Sequence, residues 1–372
     1  MYQAKPVVIV GAGLSGLGAA WALRQAGLES LVLESRRRVG GRVLTESVHL
    51  NDHASAAIDL GPSWFWPGQP LVTGLLDRFG IPSFVQHDTG DSLFETHGGA
   101  IHRNPPPSPM AGAMRVRGGL GRLARAIADD LPADTVAFGQ RVTAISDADE
   151  LIRVESEDAG RHRAYTAPRV ALAIPPRLIP GLSFNPALPE AARHELERVP
   201  TWMAGHAKFF AVYDRPFWRD AGLSGSAFST IGPLAEVHDA SPVPDGSGPP
   251  PGALFGFVRV PAAQRRQLGA EEVTRQSLQQ LAKLFGDDAA SPHTTRLMDW
   301  SVEPNTASSA DQDPPAGHPA YGMNLDLGPT WSSRITPIAS ETSYTFGGLV
   351  EGALQAGFRF AEQVKHGSPA RA

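Results

Sequence analysis

The chain has 372 residues, of which 42% are hydrophobic and 19% charged, and its formal net charge is −5. A chain of this length can bury a large core and is expected to form two domains. The slightly acidic balance gives no electrostatic reason to expect a nucleic acid or an anionic membrane surface as partner. The absence of cysteine excludes disulfides, thiolate metal sites and a cysteine nucleophile.

The first forty residues contain the pattern of a nucleotide-binding strand, turn and helix. An apolar run enters Gly11, Gly13 and Gly16, spaced as GxGxxG, and apolar residues then recur at helical spacing. These glycines allow a tight turn, a close approach of the backbone to a pyrophosphate, and close packing of helix on strand. A second apolar run ends in Glu34, where an acidic side chain can bind ribose hydroxyls. The pattern predicts an adenine dinucleotide site.

The same stretch has a second interpretation, because no charged residue lies between Pro6 and Leu23. A signal peptide or a membrane span would look similar in composition. Neither of these would place three glycines at this spacing and then an acid at the end of another strand. We therefore interpret the stretch as a nucleotide-binding turn.

The continuation, residues 36–42 (RRRVGGR), resembles the flavin-containing amine oxidase (monoamine oxidase-like) superfamily, of which the chain is identified as a short, bacterial-type member. The resemblance implies an FAD cofactor. In this family the arginine of the GGR motif meets the FAD pyrophosphate, which suits its planar fork of donors, and Arg42 takes that role by resemblance. Since the chain has no cysteine, we expect FAD to be bound non-covalently unless a histidine carries it.

Further landmarks of the family follow in order along the chain. Residues 58–67 (IDLGPSWFWP) resemble a segment whose backbone runs beside the flavin ring, and residues 141–145 (RVTAI) a strand whose valine contacts the adenine. Residues 339–353 resemble the C-terminal signature, whose helix dipole would stabilise the reduced ring. The resemblance assigns these residues to FAD: Gly11, Gly13, Ser15, Gly16, Glu34, Ser35, Arg36, Gly41, Arg42, Gly61, Pro62, Ser63, Trp64, Val142, Ser340, Glu341, Gly348, Leu349 and Val350.

The resemblance implies an α/β fold, with a Rossmann-like FAD-binding domain interleaved with a mixed-sheet substrate domain, as in amine oxidases and p-hydroxybenzoate hydroxylase. We expect the FAD-binding domain to comprise residues 1–82, 117–183 and 316–372, and the substrate domain residues 84–116 and 184–315. Longer family members carry a helical insertion that roofs the substrate cavity. Here a proline-rich connector at 104–109 leads almost directly to 115–120, where the family pattern resumes. We therefore expect a reduced roof over the usual entrance channel.

Lys208 is the predicted catalytic residue. It opens the motif KFFAVY, which is followed by Phe217 and Trp218 as in the family. In related enzymes this lysine hydrogen-bonds a water beside flavin N5, where it can assist imine hydrolysis or oxygen reduction. A cation there would also stabilise negative charge on the reduced flavin. Taken alone, a lysine at a strand start is more simply a solvated side chain, but its place in the motif favours the catalytic interpretation.

Substrate recognition follows the family less closely. Many members hold the amine between two aromatic side chains, but one of these positions is Leu349 here and the other falls near Ala310. The candidate substrate residues are Trp66, Trp300, Tyr344, Phe346 and Leu349, although each aromatic side chain could instead be ordinary core. No spacing of histidine, aspartate and glutamate suggests a metal site.

These observations predict an FAD-dependent oxidoreductase that oxidises a primary or secondary amine to an imine. A hydride equivalent would pass to flavin N5, and O2 would reoxidise the flavin to give H2O2. Two alternatives stay open: an enzyme of the same fold that oxidises or isomerises a hydrophobic carbon skeleton or heterocycle, and a non-catalytic FAD-binding scaffold. We expect a small-molecule amine or apolar substrate, no nucleic acid, no membrane anchor and a cytoplasmic location, and make no prediction of the oligomeric state.

Overall fold

A computed structural model describes residues 3–51, 54–105, 110–243, 251–313, 315, 317–322 and 324–367. Part of the proline-rich connector predicted at 104–109 lies outside the described residues. The helices are α1 Leu14–Gln25, α2 Pro70–Arg78, α3 Gly121–Asp129, α4 Glu190–Arg198, α5 Phe217–Asp220, α6 Ala262–Leu268, α7 Ala270–Phe285 and α8 Val350–Lys365. Short 3-10 turns lie at Pro176–Gly181, Asp287–Ala290, Trp300–Val302, Ser309–Asp311 and Ser340–Thr342.

The strands alternate with these helices in the N-terminal part and dominate the middle of the chain. In chain order they are β1 Gln3–Ala4, β2 Val7–Val10, β3 Leu31–Glu34, β4 Thr45–Asn51, β5 Ala54–Asp59, β6 Ser83–Val85, β7 Asp91–Glu95, β8 Ile101–Asn104, β9 Met114–Val116, β10 Val136–Phe138, β11 Arg141–Ala148, β12 Leu151–Asp158, β13 Arg161–Ala167, β14 Arg169–Leu172, β15 Ser183–Asn185, β16 Ala207–Tyr213, β17 Leu223–Ser229, β18 Leu234–Asp239, β19 Gly252–Val258, β20 Thr294–Asp299 and β21 Ile335–Pro337.

A parallel sheet with the strand order β10-β3-β2-β14-β21 forms the nucleotide-binding half. Its strand β2 is buried on both faces, as its continuous apolar sequence predicts. Val7 and Ile9 pack with α1, α3 and α8, whereas Val8 and Val10 pack against the sheet β1-β13-β12-β11-β15. Alternate side chains of β2 therefore belong to two different cores. The carboxyl ends of β2 and β3 lie between these two cores, where such sheets bind ligands.

A seven-stranded mixed sheet, β20-β16-β19-β18-β17-β7-β8, forms the second half. It takes β7 and β8 from residues 91–104 and the other strands from residues 207–299. Helix α7 covers one face, where Phe209, Leu254 and Leu281 share a core. The other face meets β5 and the segment after it, through Ile58, Phe210 and Phe255. The predicted combination of a Rossmann-like parallel sheet with a mixed second sheet is confirmed.

The reduced roof over the entrance channel stays a prediction, because part of the connection between β8 and β9 lies outside the described residues. Only residues 105–113 separate β8 from β9, which is too short a connection for a sizeable helical insertion. Phe94 on β7 lies opposite His102 on β8 and is 36% exposed. Among the helices of the described ranges, none has the length and apolar composition that crossing a bilayer requires.

Candidate active site

Three of the predicted FAD-binding segments meet at the carboxyl ends of β2 and β3. The N–H of Gly11 donates to Leu33 O at 2.8 Å, and the N–H of Ala12 donates to Glu34 Oε2 at 2.7 Å. The GGR loop joins them, because the N–H of Gly40 donates to Ala12 O at 2.8 Å. This crevice at strand ends is where open α/β sheets bind ligands.

The glycines of the first turn have two different reasons to lack a side chain. A Cβ atom on Gly16 would lie 2.0 Å from Gly11 O, so this position must be glycine for α1 to pack on the turn. A Cβ on Gly13 would meet nothing nearer than Gly40 O at 4.0 Å. Gly13 therefore faces open space, at the start of α1 and without a side-chain cap. Open space before uncapped helical N–H groups fits a pyrophosphate.

Glu34 is 2% exposed and is held by backbone donors. Its Oε2 accepts from Ala12, and its Oε1 accepts from the N–H of Arg36 at 2.8 Å and from Ser35 Oγ at 3.3 Å. A carboxylate has about four acceptor positions, so about one remains for a ribose hydroxyl. Val142 lies at the same end, since Gln140 N donates to Glu34 O at 2.8 Å.

Arg42 connects the GGR loop to the C-terminal segment. Its Nη1 and Nη2 donate to the two carboxylate oxygens of Glu341 at 2.6 and 3.0 Å, and Nη2 also donates to Ser340 Oγ at 3.1 Å. Burial lowers the pKa of Arg42, but the Glu341 carboxylate outweighs it and the pKa is raised overall. Gly348 N donates to Ser340 O at 3.3 Å just before α8. The predicted C-terminal residues are thus gathered at the same crevice.

The predicted flavin-flanking segment lies against the GGR loop. A Cβ on Gly61 would stand 2.0 Å from Arg42 O, so only glycine allows this approach. From the other side, Lys208 on β16 reaches the same segment with Nζ. It donates to Asp59 O at 3.0 Å, Gly61 O at 2.7 Å and Ser63 Oγ at 2.9 Å. These three bonds use every donor of the ammonium group.

Lys208 is only 5% exposed, and Nζ lies 4.2 Å from the centre of the Phe255 ring. Burial lowers the pKa of Lys208 to about 7, against the opposing effect of Asp59. Burial likewise raises the pKa of Asp59. A buried lysine with a lowered pKa beside a cofactor crevice is a typical functional candidate. The water-mediated role beside flavin N5 stays a prediction, and the structure adds that Lys208 binds the segment 59–63 directly.

The predicted substrate residues differ in exposure and in contacts. Phe346 and Leu349 are partly buried at the start of α8. Trp300 is 6% exposed, and its indole N–H donates to Leu60 O at 3.0 Å, which gives it a structural contact. Trp66 and Tyr344 are 40% and 71% exposed. Roles of all five in substrate binding stay predictions.

Sequence reasoning missed an aromatic group beside Gly348. A Cβ on Gly348 would approach Tyr321 Cε2 at 2.9 Å and Trp202 Cβ at 3.1 Å. The rings of Trp202 and His318 lie 4.7 Å apart, and the Tyr321 hydroxyl donates to Pro200 O at 2.8 Å. These residues lie in loops without periodicity, so no spacing pattern indicated that they lie close together.

A second missed feature is the aromatic wall, which we define as Trp64, Phe228, His238 and Phe257. The His238 ring lies 5.0 Å from Trp64, 5.9 Å from Phe228 and 6.4 Å from Phe257. Trp64 is oriented by a bond from its indole N–H to Gln86 Oε1 at 2.8 Å. The alternation of Phe255 and Phe257 on β19 was the available signal, since side chains two apart share a face. No three histidine, aspartate or glutamate side chains in the described residues are grouped as metal ligands.

Comparison with known proteins identifies the family. The family described as "Flavin containing amine oxidoreductase" matches residues 108–365, and an NAD(P)-binding Rossmann-like domain matches residues 9–79. The chain belongs to the flavin-containing amine oxidoreductase family. This family member is accordingly an FAD-dependent oxidoreductase, and the crevice around Gly13, Glu34 and Arg42 fits that cofactor.

Individual relatives align along nearly the whole chain. A putative flavin-containing monoamine oxidase, AofH of Mycobacterium tuberculosis, is 29% identical, with 96% of each chain covered. Putrescine oxidase of Kocuria rosea is 25% identical over 87% of this chain and 85% of its own. A structure of wild-type putrescine oxidase bound to putrescine superposes with a TM-score of 0.81 at 23% identity, covering 98% of this chain and 99% of that chain. The AofH alignment spans 461 residues, so AofH has segments that this 372-residue chain lacks.

Proposed function

We propose that this chain oxidises a primary or secondary amine to an imine, with O2 as the electron acceptor and H2O2 as the second product. The observation that carries the proposal is the position of Lys208. Its side chain extends from the second sheet to the segment 59–63, for which the family resemblance implies a position beside the flavin. The names of the aligned relatives, monoamine and putrescine oxidases, support an amine rather than another substrate class.

Bound FAD would supply the two-electron acceptor for the C–H bond next to the amine nitrogen and pass the electrons to O2. The chain's own part is binding, orientation and exclusion of water. Glu34 would hold the ribose, the turn at Gly13 the pyrophosphate, and Arg42 would add its remaining donors. Lys208 holds the segment from Asp59 to Ser63, and its pKa of about 7 would let it exchange a proton near neutral pH.

The substrate would lie between the aromatic wall and the group formed by Trp202, His318 and Tyr321. The His206 ring lies 6.4 Å from that of Trp202, and His206 is close enough to Glu236 for each to shift the pKa of the other. Burial lowers the pKa of His206, so this side chain is uncharged at neutral pH. Aromatic faces on both sides would orient an amine and keep its reacting carbon dry.

The test is an anaerobic titration of the purified holoenzyme with primary and secondary amines, following the visible absorption of the flavin. We expect bleaching by at least one amine class and peroxide after air is readmitted. If no amine bleaches the flavin but an apolar carbon-skeleton or heterocyclic compound does, the alternative oxidation or isomerisation replaces the amine reaction. The cytoplasmic location remains part of the prediction and is tested by cell fractionation.

A further inference from the structure

A buried glutamine contacts the aromatic wall and has one defined orientation. Gln86 lies directly after β6 and is 3% exposed. Its Oε1 accepts from the Trp64 indole N–H at 2.8 Å, and its Nε2 donates to Asp239 O at 2.8 Å and to His87 O at 3.1 Å. An indole N–H can only donate, and a carbonyl oxygen can only accept. Rotating the amide by half a turn would therefore lose all three hydrogen bonds.

The carbonyl group that receives Gln86 belongs to a residue that is itself held in place. Asp239 ends β18 and is fully buried. Its carboxylate accepts from the Trp218 indole N–H and from Arg219 Nε, each at 2.9 Å. Because Asp239 is held through its side chain, its carbonyl oxygen gives Gln86 a fixed point of attachment.

The segments on either side of Gln86 are also joined without its side chain. Strand β6, which Gln86 follows, pairs with β9. Arg115 on β9 is 5% exposed and donates to Ala240 O at 2.8 Å and to Ser241 O at 2.9 Å, just beyond the end of β18. Loss of the Gln86 side chain should therefore release the Trp64 ring without separating these segments.

The Trp64 ring depends on Gln86 for its angle. It packs on other members of the aromatic wall, 5.0 Å from the His238 ring and 6.4 Å from the Phe257 ring. Such ring contacts are compatible with several tilts, whereas the hydrogen bond requires the N–H edge to face Gln86. The backbone before Trp64 is held separately, since Ser63 Oγ accepts from Lys208 Nζ at 2.9 Å.

We propose that Gln86 sets the amine selectivity of this enzyme by holding the Trp64 ring at one angle in the candidate substrate region. This inference rests on the proposed amine oxidation. Gln86 acts through Trp64 and is a positioning residue. A flat amine packs best on an aromatic face of fixed tilt, whereas a flexible alkyl chain adapts to several tilts. A ring that is free to turn should therefore impair oxidation of flat amines more than that of alkyl amines.

The experiment compares a flat and a flexible amine of similar size. Benzylamine and hexylamine are assayed by anaerobic flavin reduction and by steady-state turnover of the holoenzyme. Gln86→Met keeps the length of the side chain and removes its hydrogen bonds. We expect the ratio of kcat/KM for benzylamine to that for hexylamine to fall about tenfold, with the larger part in kcat, because a misplaced reacting carbon slows the chemical step.

Two further variants separate this role from a structural one. Trp64→Phe removes the same hydrogen bond from the other side and should also lower the ratio. Adding Gln86→Met to Trp64→Phe should lower it further by less than about twofold, since the bond is already absent. Gln280→Met is the matched control, because Gln280 is 7% exposed, donates to Ile231 O and Leu234 O, and lies on α7, which covers the other face of the sheet. Gln280→Met should lose stability in urea unfolding but keep the wild-type ratio.

A wild-type ratio in Gln86→Met, or an equal effect of Gln86→Met with and without Trp64→Phe, overturns the role of Gln86 and leaves amine oxidation standing. FAD content and urea unfolding verify that each variant is folded. If Gln86→Met does not fold, Trp64→Phe decides, and an unchanged ratio there overturns the inference. Failure of every primary and secondary amine to bleach the flavin overturns the proposed function and this inference together.

Discussion

Replacing Lys208 with methionine tests whether this lysine organises the flavin-flanking segment. Methionine keeps most of the side-chain volume but removes all three donors, to Asp59 O, Gly61 O and Ser63 Oγ. A buried acceptor without its donor costs about 1–3 kcal/mol, so the gross loss is at least about 3 kcal/mol. Part of this loss is offset, because the variant no longer has to desolvate a charged ammonium group when it folds. We expect the free energy of unfolding to fall by roughly 2 kcal/mol.

The assay is urea unfolding of the holoprotein, paired with FAD content and with rates of anaerobic flavin reduction and of reoxidation by O2. Lys208→Met should retain FAD but slow turnover or reoxidation. Lys365→Met is the control, because Lys365 is an exposed residue at the end of α8, and its replacement should change stability by less than about 0.5 kcal/mol. Wild-type stability together with wild-type flavin kinetics in Lys208→Met would refute both the loop-holding and the catalytic assignments.

Three further predictions use the same measurements. First, Gly13→Ala should fold normally but lose FAD affinity, because its Cβ enters the open crevice. Gly16→Ala should instead lose stability, because its Cβ would stand 2.0 Å from Gly11 O. Equal loss of FAD in both variants, with no difference in stability between them, would contradict this prediction. Second, Arg42→Ala should be purified with little FAD, and Arg37→Ala, whose side chain is 75% exposed, with the full amount, as judged by visible absorbance. Third, the free energy of unfolding should rise between about pH 7 and 10, because unfolded Lys208 binds a proton there and folded Lys208 does not, and Lys208→Met should lack this part of the rise.

The FAD half of the site was predictable because its motifs are local. Residues 7–34 fold as one strand, turn, helix and strand, so the spacing of the glycines and of Glu34 already determines which groups meet. The contact of Arg42 with Glu341 joins residues far apart in sequence, and the resemblance to a family had assigned both residues to FAD without predicting that they touch. The local spacing of the glycines and Glu34 thus predicted the cofactor crevice, and the resemblance to a family predicted which distant segments line it.

The substrate half was not predictable in the same way. Whether Glu236, Phe257 and Lys208 share a row depends on the register of three strands whose order in the sheet is not their order in the chain. A bulge near Ala235 shifts that register, and a shift of one residue would turn Glu236 to the other face. Sequence position near a landmark also does not fix direction, as the exposed side chain of Tyr344 illustrates.

The two halves meet in three consecutive carbonyl groups. Lys208 on β16 donates to Asp59 O and Gly61 O, and the indole of Trp300, just after β20, donates to Leu60 O between them. Neighbouring strands of the substrate sheet therefore hold one short segment of the FAD side, which gives Trp300 a positioning role. Lys208→Met and Trp300→Phe should be non-additive in stability by at least about 0.5 kcal/mol, since either change frees the segment that the other also holds. Strict additivity in this double-mutant cycle would show that the two side chains act separately, and would leave Trp300 free for the substrate contact that its sequence position suggested.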